Sequence, residues 1–476
     1  MPRPPDLKTL SELKAVVGSG CWLDSTEELE PYVSDFRRLY HGATPLVLLP
    51  RSVAEVVQIL RICNREHAAV VPHGGNTSYC GGATPDESGS QIVLCLRRLN
   101  CIRRIDAADY SMILEAGCTL FEAQAAAREE DRLFPLSLGS EGTAQIGGNL
   151  STNAGGTAVL RYGMMRDLVL GLEVVLADGR VLAGLKCLRK DNTGYDVKSL
   201  FVGAEGTLGV ITAASLKLFP RPADTATAIV GIDSPRHALD FLALLRTAAG
   251  DQVTSFELMP RLAVELAVKH VPGVADPLDQ NTPWHLLIEL SSPNPRQDLT
   301  TLLTATLEAA AGRGAIAAAM LASSSPQAQA MWKLRESVPE AQRRHGASLK
   351  HDVSVPVSAI PTLIEEASAL VRRLAPEGDV IPYGHAGDGN LHLNVSQKPG
   401  ADLTSFLARG RTLELAVFDL VESLGGSISA EHGIGRLKAA EFARRADPVE
   451  LAVMHELKRA LDPKGILNPG KVLCAP

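Results

Sequence analysis

The sequence predicts an α+β protein whose pattern of strands and helices changes twice along the chain. Its 476 residues are too many for one hydrophobic core, which indicates two or three domains. Residues 1–220 combine short apolar runs with glycine-rich turns, whereas longer strand and helix units begin near residue 225. From residue 411 the pattern is mainly helical. We therefore expect a first domain at 1–220, a second at 221–410 and a helical segment at 411–476.

The first part begins with a β-α-β run. An apolar segment at 45–50 predicts a strand, and a second strand is predicted at 68–72. Between them, apolar residues at helical spacing predict a helix over 53–65, with Ser52 as its N-cap. Such short connections indicate mixed α/β structure. Further strands are predicted at 91–96, 111–116, 170–176 and 209–218.

The second part has the pattern of an antiparallel sheet with helices on one face. Strands are predicted at 226–232, 254–259 and 284–290, and helices at 235–248, 261–269 and 297–313. In the last part, the clearest predicted helix covers 449–461. The strands and helices of the second part are longer than those of the first part, which supports a separate domain at 221–410.

Composition excludes several classes of protein. With 45% hydrophobic and 21% charged residues, the chain has the composition of an ordinary globular protein. Its net charge of −7 and the lack of a long Lys/Arg run argue against a nucleic-acid partner. We find no apolar leader and no stretch of 18 uncharged apolar residues. We therefore expect neither secretion through a signal peptide nor a membrane-spanning segment. The eight cysteines lack a CxxC pair, which predicts reduced thiols in a cytoplasmic protein.

Two short segments near the C-terminus carry residue types that bind a divalent metal and move a proton. His385 and His392 lie in the first segment, and Glu431 and His432 lie in the second. Two imidazoles and one carboxylate form a ligand set that leaves coordination positions open for a substrate. His432 could then remain an unmetallated base beside the metal.

The spacing of the two histidines needs an explanation. Seven residues apart, they would lie on opposite faces of one regular strand. Glycines interrupt the start of this segment, so we expect His385 on a loop that leads into a strand at 391–394. Either histidine alone would more often have a structural role. The glycine-rich context and the Glu-His dipeptide favour a site.

Three glycine-rich segments in the first part predict a cofactor site. They cover 72–82, 137–156 and 203–209, and Ser, Thr and Asn residues are interleaved with the glycines. Each alone would be a tight turn, but together they favour a large phosphate-bearing cofactor, since glycine lets backbone amides converge on a phosphate. None matches the GxGxxG fingerprint, which disfavours a nicotinamide Rossmann domain. Residues 465–471 begin like a P-loop, but Val472 replaces the required Ser/Thr.

These segments resemble a known family. Residues 72–82, 147–156, 161–163 and 203–212 are similar to the FAD-binding domain of the vanillyl-alcohol-oxidase type. Residues 384–394, 429–435 and 461–471 resemble the FAD-linked D-2-hydroxyacid dehydrogenases, which include D-2-hydroxyglutarate dehydrogenase, D-lactate dehydrogenase and the glycolate oxidase flavoprotein subunit. The resemblance covers nearly the whole chain. It implies a two-subdomain FAD-binding domain, an antiparallel-sheet substrate domain that caps the isoalloxazine, and a C-terminal helical segment that completes the active site.

The resemblance also implies how FAD is held. The residues expected to contact it are Pro72, Gly74, Gly75, Asn76, Thr77, Ser78, Leu138, Gly139, Gly142, Thr143, Gly147, Gly148, Asn149, Thr152, Gly206, Ile211 and Asn468. Asn76 stands where some flavoproteins of this fold carry a histidine that attaches FAD covalently. We therefore expect non-covalent FAD and a structural role for His73.

For the chemistry, the resemblance assigns the metal to His385, His392 and Glu431, with His432 as the catalytic base. Zn²⁺ fits these ligand types best, and Mn²⁺, Co²⁺ and Fe²⁺ remain alternatives. It further implies that the substrate contacts His432 and three more residues, which are Arg335, Lys350 and Asn394. Without the family, Arg335 would be taken for a solvated helix charge and Lys350 for a strand-end lysine.

The implied reaction is the oxidation of a D-2-hydroxy acid to the 2-oxo acid, with a hydride passing from C2 to flavin N5. D-2-hydroxyglutarate is the preferred substrate, and D-lactate and glycolate are alternatives. Pro339 stands where the hydroxyglutarate enzymes carry Thr, which leaves the distal group of the substrate open. The electron acceptor could be an electron-transfer flavoprotein, a quinone or another carrier, and a homodimer is an open alternative. Two rival interpretations are a metal-independent flavin oxidase and a non-catalytic flavin-binding subunit of a larger complex.

Overall fold

The computed structural model describes residues 3–474 and divides the chain into two compact units. Unit 1 consists of residues 3–156, 163–221 and 431–474, and unit 2 consists of residues 157–162 and 222–430. Residues 411–430 thus lie in unit 2, and the chain returns to unit 1 at Glu431. His385 and His392 belong to unit 2, whereas Glu431 and His432 belong to unit 1.

The secondary-structure elements are numbered in chain order. The α-helices are α1 (Leu7–Val17), α2 (Thr26–Val33), α3 (Val53–Glu66), α4 (Leu120–Glu129), α5 (Ile146–Ser151), α6 (Val159–Tyr162), α7 (Met165–Leu168), α8 (Pro235–Ala249), α9 (Arg261–His270), α10 (Leu299–Gly312), α11 (Ser325–Glu336), α12 (Val338–His345), α13 (Ile360–Leu374), α14 (Leu403–Ala408), α15 (Gly410–Ser423), α16 (Ala439–Arg445) and α17 (Pro448–Leu461). The β-strands are β1 (Trp22–Leu23), β2 (Val47–Leu48), β3 (Ala69–His73), β4 (Gln91–Cys95), β5 (Ile102–Asp106), β6 (Ser111–Glu115), β7 (Arg132–Leu133), β8 (Val169–Val175), β9 (Val181–Gly184), β10 (Val210–Lys217), β11 (Phe219–Pro220), β12 (Asp224–Ile232), β13 (Val253–Pro260), β14 (Trp284–Ser292), β15 (Ala318–Leu321), β16 (Ser348–Leu349), β17 (Asp352–Ser354), β18 (Gly378–His385) and β19 (Asn390–Gln397). Within residues 3–474, no helix combines the length and the apolar character that a membrane crossing requires.

Unit 1 contains the predicted β-α-β run. Strands β2, β4 and β3 are parallel, and β1 joins them antiparallel in the order β1-β2-β4-β3. Helix α3 begins where the Ser52 side chain accepts a hydrogen bond from the Glu55 backbone N–H at 3.3 Å. Its apolar stripe, which includes Val56 and Leu60, is buried. The predicted helix and its cap are therefore confirmed.

A second, five-stranded sheet of unit 1 is antiparallel, in the order β5-β6-β10-β8-β9. Its central strand β10 sets Ala214 opposite Leu114 on one side and opposite Leu172 on the other. All three residues are buried. A short pair, β11 with β7, completes the strands of this unit.

Unit 2 is built around an eight-stranded sheet. Seven strands follow the order β15-β12-β14-β13-β18-β19-β16, and β17 also pairs with β19. Helices α8, α10, α13 and α15 cover one face, where Phe241 and Phe256 are buried. Helices α9, α11 and α12 cover the other, where Met259 and Leu334 are buried. The expectation of helices on one face is wrong, because the central strands are buried on both of their faces over most of their length.

Candidate functional site

A β-hairpin places two histidines on one face of the unit 2 sheet. His385 is the last residue of β18, and His392 lies in β19 opposite Tyr383. Since residues two apart on a strand share a face, His385 is a diagonal neighbour of His392. Their ring centroids are 5.7 Å apart. The expectation that His385 lies on a loop is wrong, and the odd spacing is no obstacle because the histidines occupy different strands.

The flanking strands set a carboxylate beside each histidine. Glu257 of β13 lies opposite His385, and its Oε1 is 2.5 Å from His385 Nδ1. Asp352 of β17 lies opposite His392, and its Oδ1 is 3.5 Å from His392 Nδ1. Histidines that bind metals usually contact a carboxylate or carbonyl through the second ring nitrogen. This arrangement therefore orients Nε2 of each ring as the nitrogen suited to a metal.

Glu257 and Asp352 were not predicted as site residues from the sequence. Each is an acidic residue in a strand whose neighbouring residues are buried, and both are themselves buried. Burying a carboxylate without a partner costs free energy. An acidic residue at a buried position of a predicted strand was therefore the signal that could have identified these two residues. The sequence could not show which residue pairs with Glu257, because Glu257 and His385 are 128 residues apart.

Arg335 on α11 also contacts Glu257. Its Nε donates to Glu257 Oε2 at 2.7 Å, and its guanidinium lies 5.0 Å from the centroid of the Tyr383 ring. Only 6% of Arg335 is exposed, so it is not a solvated helix charge. Burial alone would raise the pKa of Glu257, but His385 and Arg335 together lower it to about 2. Glu257 is thus a buried anion held between two basic groups.

The other two residues expected to bind substrate occupy different environments. Asn394 lies two residues beyond His392, on the same face of β19, and is buried. Its Nδ2 donates to Gln342 Oε1 of α12 at 2.9 Å. Lys350 is exposed on the connection between β16 and β17. The sheet face therefore brings together His385, His392 and Asn394, with Arg335 packed against it.

In unit 1, Glu431 and His432 begin the last segment and are half-buried. The His432 ring stacks on Tyr79, with centroids 4.4 Å apart and an interplanar angle of 20°. Tyr79 lies in the first glycine-rich segment, directly after the predicted FAD contacts at residues 72–78. The expected base therefore contacts a residue beside a predicted FAD loop.

All residues expected to contact FAD belong to unit 1. Two of the glycine-rich loops approach each other so closely that a Cβ on Gly75 would lie 2.0 Å from the Thr143 carbonyl oxygen. By contrast, a Cβ on Gly139, Gly142 or Gly148 would meet no atom of the structure within 4 Å. The loops thus pack together through one glycine and leave open backbone at the others, as a cradle for a large phosphate-bearing group requires.

Buried amide atoms provide a second test of whether these residues fit FAD. Among the described residues, Gln145 Oε1, Asn149 Nδ2 and Asn468 Oδ1 are buried without a hydrogen-bond partner. Leaving such an atom unpaired costs about 1–3 kcal/mol, which a polar ligand would offset. Asn468 also donates to the carbonyls of Gly82, at 2.9 Å, and Glu205, at 2.7 Å. The residues present therefore fit the cofactor that the sequence predicts.

Two residues near the first loop bear on how FAD is attached. Asn76 adopts a left-handed conformation, φ +52°, and its Nδ2 donates to the Ser34 carbonyl at 2.8 Å. His73 is the buried last residue of β3, with Nδ1 3.1 Å from the Ala83 carbonyl oxygen. Burial lowers the pKa of His73 to about 4. A buried imidazole bonded to the backbone agrees with a structural role.

Solved structures show the fold class. The chain aligns with p-cresol methylhydroxylase over 98% of its own length and 96% of that chain, at 17% identity and a TM-score of 0.74. With 4-ethylphenol oxidase from Gulosibacter chungangensis it aligns over 100% of its length and 99% of that chain, at 18% identity and a TM-score of 0.75. At such identities the likeness concerns the fold alone, which is of the vanillyl-alcohol-oxidase type.

Relatives of known name are more similar in sequence. The mitochondrial D-2-hydroxyglutarate dehydrogenase of Bos taurus is 40% identical over 98% of this chain and 83% of the relative. That of Arabidopsis thaliana is 37% identical over 98% and 82%. The D-2-hydroxyglutarate dehydrogenase of Stutzerimonas stutzeri is 33% identical over 99% and 100%.

The predicted cytoplasmic location is contradicted by these relatives, since the animal and plant proteins are named mitochondrial. That prediction rested on cysteine usage. Free thiols indicate a reducing compartment but do not distinguish one reducing compartment from another.

Family models agree with the relatives. The FAD binding domain matches residues 44–184, and the C-terminal domain of FAD linked oxidases matches residues 221–472. The second match alone spans more than half of the chain. The chain therefore belongs to the FAD-linked oxidase family that includes the D-2-hydroxyglutarate dehydrogenases, and it is a FAD-dependent oxidoreductase.

Proposed function

We propose that this protein oxidises a D-2-hydroxy acid to the 2-oxo acid, with D-2-hydroxyglutarate as the preferred substrate. The relatives named D-2-hydroxyglutarate dehydrogenase support the choice of substrate. The observation that carries the proposal is the hairpin of β18 and β19, which sets His385 and His392 on one sheet face with a carboxylate at Nδ1 of each. D-lactate and glycolate are the alternative substrates.

Two groups would supply chemistry that the side chains lack. FAD, held non-covalently by the loops at 72–78, 137–149 and 203–211, supplies the acceptor for the hydride that leaves C2. A divalent metal, for which Zn²⁺ fits best, supplies Lewis acidity that lowers the pKa of the substrate hydroxyl. His385, His392 and Glu431 form a set of donor groups with the composition of such a site, and would hold it.

The remaining steps belong to side chains. His432 removes the hydroxyl proton while the hydride leaves C2, so that the alcohol becomes a ketone. Arg335, which Glu257 holds in place, and Lys350 neutralise carboxylate charge on the substrate. Asn394 donates a hydrogen bond to the acid. An electron acceptor such as an electron-transfer flavoprotein or a quinone then completes turnover.

Dye reduction by the purified chain tests the substrate and the metal together. D-2-hydroxyglutarate should show a higher kcat/KM than D-lactate, glycolate or the L enantiomer. EDTA should abolish turnover, and Zn²⁺ should restore it. Full activity after complete metal removal would favour the metal-independent oxidase, and a chain without any turnover would favour the non-catalytic subunit.

Variants of the Glu-His pair test the assigned roles. His432→Ala should reduce kcat by about 10²–10⁴, the usual effect of losing a general base, and retain its metal. Glu431→Ala should lose both metal and activity. Loss of metal from the His432 variant would show that the two roles are assigned wrongly.

A further inference from the structure

The side chain of His432 is held by an aromatic neighbour from a different loop. Its ring lies nearly parallel to that of Tyr79, at 4.4 Å and 20°. Tyr79 is itself supported, because the Phe36 ring contacts it edge-on at 5.8 Å and the Arg37 guanidinium lies 6.0 Å from its centroid. Stacking of this kind restricts rotation of an imidazole about its side-chain torsions.

The backbone that follows His432 is anchored as well. Buried Glu205 accepts hydrogen bonds from the backbone N–H groups of Ile434, at 2.7 Å, and Gly435, at 2.9 Å. The Cys80 carbonyl accepts one from the Arg436 N–H at 2.8 Å. Because these hydrogen bonds fix the backbone, the motion left to His432 is mainly rotation about its side-chain torsions. Stacking on Tyr79 restricts this rotation.

We infer that Tyr79 is a positioning residue for His432, and that its ring face holds the imidazole in the orientation needed for proton removal. The inference rests on the proposed role of His432 as the base. A base works only from a narrow range of positions, and a misplacement of about 1 Å can cost about 10²-fold in rate. Loss of the ring should therefore lower kcat, while KM, which reflects binding of the acid, should change little.

Three variants distinguish the effect of the Tyr79 ring on kcat from the effect of its hydroxyl and from the general effect of replacing a tyrosine. Tyr79→Leu should lower kcat per bound flavin about 10- to 100-fold with KM within about threefold. Tyr79→Phe, which keeps the stacking face, should stay within about twofold of the wild type. Tyr195→Leu is the matched control at a tyrosine that is 97% exposed, and should leave kcat unchanged. Rates per bound flavin, with a melting curve for each variant, separate loss of orientation from loss of cofactor or fold.

The outcomes distinguish this inference from the proposed function. If Tyr79→Leu keeps kcat while His432→Ala loses it, the stack does not position the base and the inference fails alone. If His432→Ala keeps kcat, the proposed base is wrong and the inference fails with it. A Tyr79→Phe variant as slow as Tyr79→Leu would also overturn the inference, because the hydroxyl and not the ring would then matter.

Discussion

At the scale of single residues, Glu257 explains how the site can contain a buried charge. A carboxylate removed from water is costly unless it is paired, and Glu257 contacts two basic groups at once. His385 lies at one carboxylate oxygen and Arg335 donates to the other. Its low pKa, about 2, keeps it ionised and able to orient both partners.

Replacing Glu257 by Gln should weaken metal binding by about 10- to 100-fold, the usual effect of removing a partner that orients a metal-binding histidine. Glu289→Gln is the matched control, because Glu289 is a partly buried acid of the same sheet that accepts a hydrogen bond from Trp332 Nε1 at 2.7 Å. Competition with a chelator, followed for each folded variant, measures the affinity. Equal affinities for the two variants would mean that Glu257 does not act through His385.

At the scale of elements, strand β3 leads into the first predicted FAD loop and ends at a histidine that is uncharged in the folded protein near neutral pH. The pKa of His73 falls from 6.5 to about 4 because the ring is buried. Between these values the unfolded chain binds a proton that the folded protein does not, so acid favours unfolding in this window.

We therefore expect a specific loss of stability on acidification. From about pH 7 to about pH 5, His73 should account for about 2 kcal/mol of the decrease in the free energy of unfolding. His73→Gln should show a flatter pH dependence, whereas His41→Gln, at an exposed position, should follow the wild type. Urea unfolding across this range measures the difference. The same slope in the wild type and the His73 variant would contradict a buried, neutral His73.

At the scale of the whole molecule, the predicted FAD contacts and the histidine pair lie in different compact units. The residues expected to contact FAD lie in unit 1, and the histidine pair lies in unit 2. His385→Ala or His392→Ala should therefore remove the metal and most activity but leave the flavin spectrum unchanged. Elemental analysis and absorbance measured on one sample test this, and acid precipitation should leave the flavin in the supernatant. Simultaneous loss of flavin and metal, or flavin retained in the pellet, would count against it.

Features that depend on neighbouring residues could be predicted from the sequence alone. Ser52 caps α3 because its hydroxyl reaches an N–H only three residues away, and the apolar residues of that helix share a face at helical spacing. The glycine-rich loops and the residue types of the candidate site are likewise local, since backbone freedom and ligand chemistry belong to each residue.

Features that depend on strand register required the fold. His385 and His392 are neighbours because β18 and β19 form a hairpin, and Glu257 joins them from 128 residues away. The same applies to helices on both faces of the unit 2 sheet and to the return of the chain to unit 1 at Glu431. Register between distant strands is selected by burial over the whole sheet, and local propensity does not encode that selection.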